Sequence, residues 1–415
     1  MPKYFGENNP EIPDSVLINI LSYLDNRMLA FTLPQVSKSW QLITKEKKIH
    51  HNILTAILKR INFFPLGNIE DKIEVISSGY TNTNYKIFKD GEYYILRIPI
   101  MKNHLLIERQ YEKHNTIIAH RLGLGARLMF YEKSTGIMVT KYIDNQYCLT
   151  KEHLADKGTL TMISRVLRLL HNAPEKFQGD WLIFNKIRKL YDFLVENCSC
   201  YNKEMLKGLM NAADRVKCAF DKLNIQLCPC HNDLSSNNFL YIGNGIRIID
   251  WEFSGNNDPM WDLSFLSTVS QLSFEEENFL LSTYFDEKPT EVDYHRFLLY
   301  KPVAHFWIGL LSLLQIYNCN QRLGRNWLMQ VVEGKLNKAK TLFEESRELL
   351  DKLEQTFKDK EISRNSSTNL MSDSITPTSL LFSAPKLHIG GQDSPANNQR
   401  KQTVSRFLQP PFMSF

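Results

Sequence analysis

His231-Asn232-Asp233-Leu234-Ser235-Ser236-Asn237-Asn238, followed by Phe239-Leu240-Tyr241-Ile242, Gly243-Asn244-Gly245 and Ile246-Arg247-Ile248-Ile249-Asp250, is the stretch on which the fold of this chain turns. Two apolar runs flanking a Gly-Asn-Gly turn predict a β-hairpin, and closing it brings the residue before the first strand beside the residue after the second. Asn238 and Asp250 are therefore expected as neighbours, with Asp233 on the loop leading in. An amide oxygen and carboxylates at one open hairpin end form an oxygen-rich site of the kind that holds magnesium against substrate phosphates. Phosphoryl transfer suits such a site: one carboxylate takes the nucleophile's proton, while an Asn and a second Asp hold the metal.

This arrangement resembles the catalytic loop and metal-binding Asp of protein-kinase-like enzymes, and more closely the aminoglycoside phosphotransferase and choline/ethanolamine kinase branch. That branch reads His, any residue, Asp, four more, Asn, and then an Ile-Asp-aromatic-Glu string. Ile249-Asp250-Trp251-Glu252-Phe253 fits, and Asp258-Pro259-Met260-Trp261-Asp262-Leu263 continues in the same style. The resemblance covers about residues 66 to 320. It implies an α+β, bilobal protein-kinase-like fold using ATP and Mg2+, with Asp233 as base, Asn238 and Asp250 on the metal, and a small-molecule hydroxyl as acceptor. The alternative, acids that merely cap helices and turns, does not require the hairpin juxtaposition.

The upstream parts that the resemblance implies are present. Ser77-Ser78-Gly79-Tyr80-Thr81-Asn82-Thr83-Asn84-Tyr85, between two predicted strands, looks like the nucleotide-covering loop of choline kinases, with Ser78, Gly79, Thr81, Asn82 and Asn84 as ATP contacts. Backbone N–H groups in such a loop can bind phosphate. Arg97 occupies the place of the phosphate-contacting Lys of protein kinases, and a guanidinium binds phosphate oxygens in bidentate fashion. Its acidic partner on the following helix is Glu112, or Glu108 one helical turn away. Val139 to Ile143 resembles the hinge strand that holds adenine, which adds Thr140 and Tyr142. No Walker-type Gly-x-x-x-x-Gly-Lys occurs in the chain.

Choline kinases hold a quaternary ammonium with acids and aromatic faces. Trp251, Glu252, Trp261, Asp262 and Trp307 are the candidates for substrate contact. The family's late helix usually carries two tryptophans three residues apart; here Ile308 and Leu311 fill those slots and Trp307 is displaced by one residue. The acceptor therefore stays open among small hydroxyl compounds, choline-like or ethanolamine-like ones first. His231 resembles the family His that supports the loop, a structural role. Cys198, Cys200, Cys228 and Cys230 are read as buried thiols, since zinc pairs usually stand two to four residues apart and these are separated by one.

Residues 11–60 read as short helices with more apolar surface than so small a unit can bury alone. Ile12-Pro13-Asp14-Ser15-Val16-Leu17-Ile18-Asn19-Ile20-Leu21-Ser22-Tyr23-Leu24, with Val36-Ser37-Lys38-Ser39-Trp40 after it, looks like an F-box. The resemblance implies a Skp-type adaptor of a cullin ubiquitin ligase as partner, bound through Ile12, Pro13, Leu17, Ile20 and Leu24. The alternatives are that these helices dock on the kinase-like body, or that the body is a catalytically silent target-binding module. F-box and kinase-like domains together resemble an effector of an intracellular bacterium, cytoplasmic and delivered to the host cytosol.

The remaining zones are a strand-rich 66–143 with one helix at about 104–122, a mainly helical 144–325, an amphipathic helix within 326–360, and a polar tail over 361–415 expected to be disordered. Fifty Lys plus Arg against forty-five Asp plus Glu gives +5 over 415 residues, too little for an electrostatic case for nucleic acid. The stretch from Pro302 to Asn318, broken by His305, Ser312 and Gln315, is shorter than the roughly 20 apolar residues of a membrane span, so none is expected.

Overall fold

The computed structural model describes residues 73–78, 82–99, 105–144, 146–318 and 325–355, together with Leu54, Ile57, Leu58 and Ile61. The F-box-like residues Ile12, Pro13, Leu17, Ile20 and Leu24 and the tail 361–415 lie outside the described residues.

A five-stranded antiparallel sheet begins the described chain, in the order β1-β2-β3-β5-β4. Its strands are β1 (Ile73–Ser78), β2 (Asn82–Lys89), β3 (Glu92–Pro99), β4 (Leu128–Tyr131) and β5 (Met138–Lys141). Asp90 and Gly91 close the β2–β3 hairpin with φ of 50° and 82°, the paired positive values that a two-residue turn of this hand needs. Alternation sorts the faces: Tyr85, Ile87, Leu96, Ile98 and Val139 pack on one side, where Leu54, Ile57, Leu58 and Ile61 cover them. The end of the front zone is thus part of the sheet's own core. Arg97, between Leu96 and Ile98, faces the other way.

Helix α1 (Arg109–Arg121) starts later than the expected 104, because Leu106 is buried and its carbonyl accepts from Lys186 Nζ at 3.3 Å, fixing the chain before the helix. Strand β4 was not expected; its apolar run Leu128-Met129-Phe130-Tyr131 is the signal for it.

The second lobe is helical: α2 (Lys157–His171), α3 (Ile183–Asn197), α4 (Lys203–Phe220), α5 (Pro259–Ser270), α6 (Phe274–Phe285), α7 (Glu291–Asn318) and α8 (Arg325–Glu345). After a turn at Ser346 the chain is helical again to 355, so the single helix expected within 326–360 has a break. Short strands complete the lobe: β6 (Tyr147–Cys148), β7 (Cys228–Cys230), β8 (Phe239–Tyr241), β9 (Ile246–Ile248) and β10 (Gly255–Asn257), paired as β6-β8-β9 and β7-β10. Asp156 caps α2 and Asp258 caps α5, with Pro259 at the first helical position.

Helix α7 is long and apolar enough to cross a membrane by length and composition, contrary to expectation, but 78% of its most apolar window is buried inside the protein. It packs closely on α8: a Cβ at Gly309 would come within 2.3 Å of Leu336 Cδ2.

Candidate active site

Strand β7 delivers the chain into the loop that carries Asp233, and a single 3-10 turn (Ser236–Asn238) leads from it into β8. Strands β8 and β9 pair with Phe239 opposite Ile248, and Gly243 supplies a φ of +84° in the turn. The Ile249 N–H donates to the Asn238 carbonyl at 2.9 Å, so Asn238 and Asp250 leave adjacent ends of the hairpin as expected. Asn238 Nδ2 turns back to the Asp233 carbonyl at 2.8 Å and to Asp233 Oδ2 at 3.3 Å. The amide oxygen is the end of that side chain suited to a cation.

The loop is held from behind. His231 spans it, with Nε2 2.9 Å from the Ile249 carbonyl and Nδ1 accepting from the Asp233 N–H at 3.3 Å; burial pushes its pKa down. Asn232 sits in the left-handed region at φ 69°, and its amide is bound by the Phe253 carbonyl and by Asn257. Asp262 accepts the His231 N–H at 2.8 Å on Oδ2 and the Asn232 N–H at 2.7 Å on Oδ1.

From the sheet, Arg97 Nη1 reaches Asp250 Oδ1 at 3.0 Å and Nη2 pairs with Glu112. Glu112 also accepts from Arg109 at 2.9 Å and from the Tyr131 hydroxyl at 2.7 Å. Glu108 instead precedes α1 and lies 3.4 Å from Lys186, so Arg97 pairs with Glu112. Asn82 Nδ2 donates to Glu252 Oε2 at 3.1 Å, and Arg109 approaches the same oxygen at 3.4 Å. Two of the links between the lobes meet at this site, Arg97 to Asp250 and Asn82 with Arg109 to Glu252. Across the strands Asn84 stands opposite Arg97, and Thr140 opposite Ile95, on the face that bears Arg97. Tyr142 donates its N–H to the Tyr93 carbonyl at 3.0 Å, and Lys86 Nζ lies 4.3 and 4.0 Å above the Tyr93 and Tyr142 rings. Ser78 ends β1; Gly79 and Thr81 lie outside the described residues.

Charge is out of balance here. Asp233, Asp250, Glu112 and Glu252 face Arg97 and Arg109. Glu112 is held below the usual carboxylate range, because its two arginines outweigh its burial. Burial, then the neighbouring Asp250 and Glu252, pushes Asp233 up to about 7. Burial, then Asp250, takes Glu252 up to about 7, and burial raises Asp250 despite Arg97. Excess acid, presented as hard oxygen donors with Asn238 beside them, fits a divalent cation such as magnesium.

Of the residues expected to meet substrate, Glu252 stands beside Asp250 and Arg109 in the site, and the other four are buried in the second lobe. Trp251 is buried, donating Nε1 to the Ile248 carbonyl at 3.1 Å and lying edge-on to His231. Trp261 and Trp307 are buried against Trp181, so other rings occupy the faces that a ligand cation would need. Asp262 is fully buried with both oxygens taken by the loop, and Glu252 is spent on the contact between lobes. Cys228 and Cys230 are buried thiols as expected, whereas Cys198 and Cys200 are half-buried and joined as a disulfide. Sequence reasoning missed Arg109 and Tyr131. Arg109 had a signal, its position three residues before Glu112 on one helix face.

The sequence pattern of the choline/ethanolamine kinase family matches residues 73–291. The chain is 33% identical over 208 residues to Protein LicA of Haemophilus influenzae, a match spanning 50% of this chain and 60% of that protein. Against Protein LicA of the Rd strain the identity is 32% over 206 residues, covering 49% of this chain and 76% of the relative. The crystal structure of choline kinase LicA from Streptococcus pneumoniae superposes with a TM-score of 0.59 at 25% identity, covering 70% of this chain and 98% of that one.

Proposed function

The chain belongs to the choline/ethanolamine kinase family, and from that premise we propose that it transfers the terminal phosphoryl group of ATP to the hydroxyl of a small alcohol. The observation that carries this reading is the shared hairpin end: Asn238 bonded to Asp233 while Ile249, next to Asp250, bonds Asn238, with Arg97 bridging from the sheet to Asp250. Asp233 accepts the proton of the alcohol as its oxygen bonds to the terminal phosphorus and the bond from phosphorus to the bridging oxygen of ADP breaks. A carboxylate that titrates near 7 is matched to that task. Asn238 orients Asp233, and Arg97 offers a guanidinium to phosphate oxygens. Asn238 and Asp250 would hold magnesium, which when bound offsets phosphate charge. Family membership makes alcohols of the choline or ethanolamine kind the first acceptors to test. Replacing Asp233 with Ala is expected to lower alcohol-dependent ATP turnover at least about a hundredfold with the thermal midpoint retained. Unchanged turnover would sink the assignment, and a screen of choline, ethanolamine and related alcohols identifies the acceptor.

The F-box-like segment supports a second role for the same chain, tethering through a Skp-type adaptor to a cullin ubiquitin ligase in the host cytosol. An undersized unit with surplus apolar surface calls for such a cover. Purified adaptor is expected to be captured by the full chain and lost on substitution of Ile12, Pro13 and Leu17; capture that survives those changes refutes the tether. Recovery of the protein outside the cytosolic fraction of host cells refutes the location. Adaptor capture without any ATP-induced thermal shift would instead favour a catalytically silent target-binding module.

A further inference from the structure

Behind the loop that carries Asp233 lies a buried chain of side chains from three helices. Tyr284 on α6, His171 at the end of α2 and Asp262 in the first turn of α5 are all buried, Asp262 completely. The Tyr284 hydroxyl is 2.8 Å from His171 Nδ1, and His171 Nε2 is 3.1 Å from Asp262 Oδ2. Asp262 in turn accepts the backbone N–H groups of His231 and Asn232, one on each oxygen.

A carboxylate only accepts, so Nε2 carries the proton that it shares with Asp262, whichever way the hydrogen bond between Nδ1 and the Tyr284 hydroxyl runs. His171 gives Oδ2 a second donor beside the His231 N–H, so the Asp262 carboxylate is held by three hydrogen bonds, two of them from the loop and one from α2. Asn232 stands at φ 69°, in the left-handed region that asparagine tolerates better than most residues, and Asp233 follows directly.

We infer that His171, oriented by Tyr284, is a positioning residue: it locks the Asp262 carboxylate and through it the backbone that presents Asp233 to the acceptor hydroxyl. The inference rests on the phosphotransferase reading only for its kinetic arm. A metal is the rival account, since ligand atoms of His171, Cys230 and Asp262 lie within 4.8 Å of one another. Against it, both nitrogens of His171 and both oxygens of Asp262 already have hydrogen-bond partners, and Cys230 Sγ lies 3.6 Å from the Asn257 carbonyl.

The test compares full-length wild type with His171→Leu, His171→Gln and Tyr284→Phe, reading steady-state kinetics, amide hydrogen exchange of His231 and Asn232, and metal content. His171→Leu is expected to lower kcat about 10–100-fold with the KM for ATP within about threefold. Exchange at the two amides should quicken at least about tenfold, through a locally opened state. His171→Gln, whose amide can still donate to Asp262, recovers most of both, and Tyr284→Phe falls between. Wild-type kcat and wild-type protection in a folded His171→Leu protein overturn the inference. So do a joint loss of kcat, KM and thermal midpoint that Gln does not rescue, and one equivalent of tightly held metal that wild type keeps and His171→Leu loses. Faster exchange in His171→Leu upholds the inference even if wild type proves inactive with every alcohol, which keeps its fate separate from that of the proposed reaction.

Discussion

Glu112 accepts from Arg97, Arg109 and the Tyr131 hydroxyl, three donors brought from a strand, a helix and a second strand. A carboxylate can satisfy all of them because it has two acceptor oxygens and no proton to compete. A glutamine has one oxygen, and its NH2 would face donors. Glu112→Gln is therefore expected to destabilise the protein by about 3–5 kcal/mol, the usual cost of stripping one partner from a buried ion pair, seen as a lowered urea midpoint; a midpoint within error of wild type would show that the network relaxes around the amide. Asp250 shows the same dependence on its surroundings. Its φ of 66° is uncommon for a residue with a side chain, and the conformation turns its carboxylate to Arg97 while Trp251, the next residue, goes into the core.

Between elements, the seam of α7 and α8 carries a titratable group with no role in the proposed reaction. His305 on α7 is held neutral, its pKa pushed down to about 3 by burial first and then by Lys335 and Lys338 of α8 and Lys301 one turn earlier. The unfolded chain takes up that proton near the ordinary imidazole value of 6.5. Between those two values the unfolded state binds more protons than the folded one, so stability is fully present above about 6.5 and declines as pH falls toward about 3. The drop in urea midpoint from pH 7.5 to 5.5 should accordingly be smaller in His305→Gln than in wild type. Equal slopes in the two proteins would show that the imidazole is protonated within the fold.

Across the whole molecule, what could be read in advance was what lay close together in the chain. The Gly-Asn-Gly turn and its flanking runs fixed the juxtaposition of Asn238 and Asp250, because hairpin geometry is local. The resemblance of the Arg97 strand to a kinase lobe likewise pointed to Glu112 fifteen residues on. Tyr131 was out of reach, since its contact with Glu112 depends on how β4 joins the sheet. Trp251 misled for a related reason, since nearness to Asp250 in sequence does not say which way a side chain turns, whereas for Trp307 helix packing is an equal expectation and is what the structure shows. Helix α5 did carry a warning: its apolar residues Met260, Trp261, Leu263, Phe265, Leu266 and Val269 fall on no single stripe, the mark of a helix enclosed by protein, and every residue from Met260 to Ser270 is buried. The clash distance at Gly309 has a consequence for synthesis. During translation α7 emerges before α8, which shields it, so the nascent lobe presents a greasy rod that lipid or a neighbouring chain could capture until residues near Leu336 have left the ribosome. A message cut short just past Asn318 would strand every copy in that sticky state.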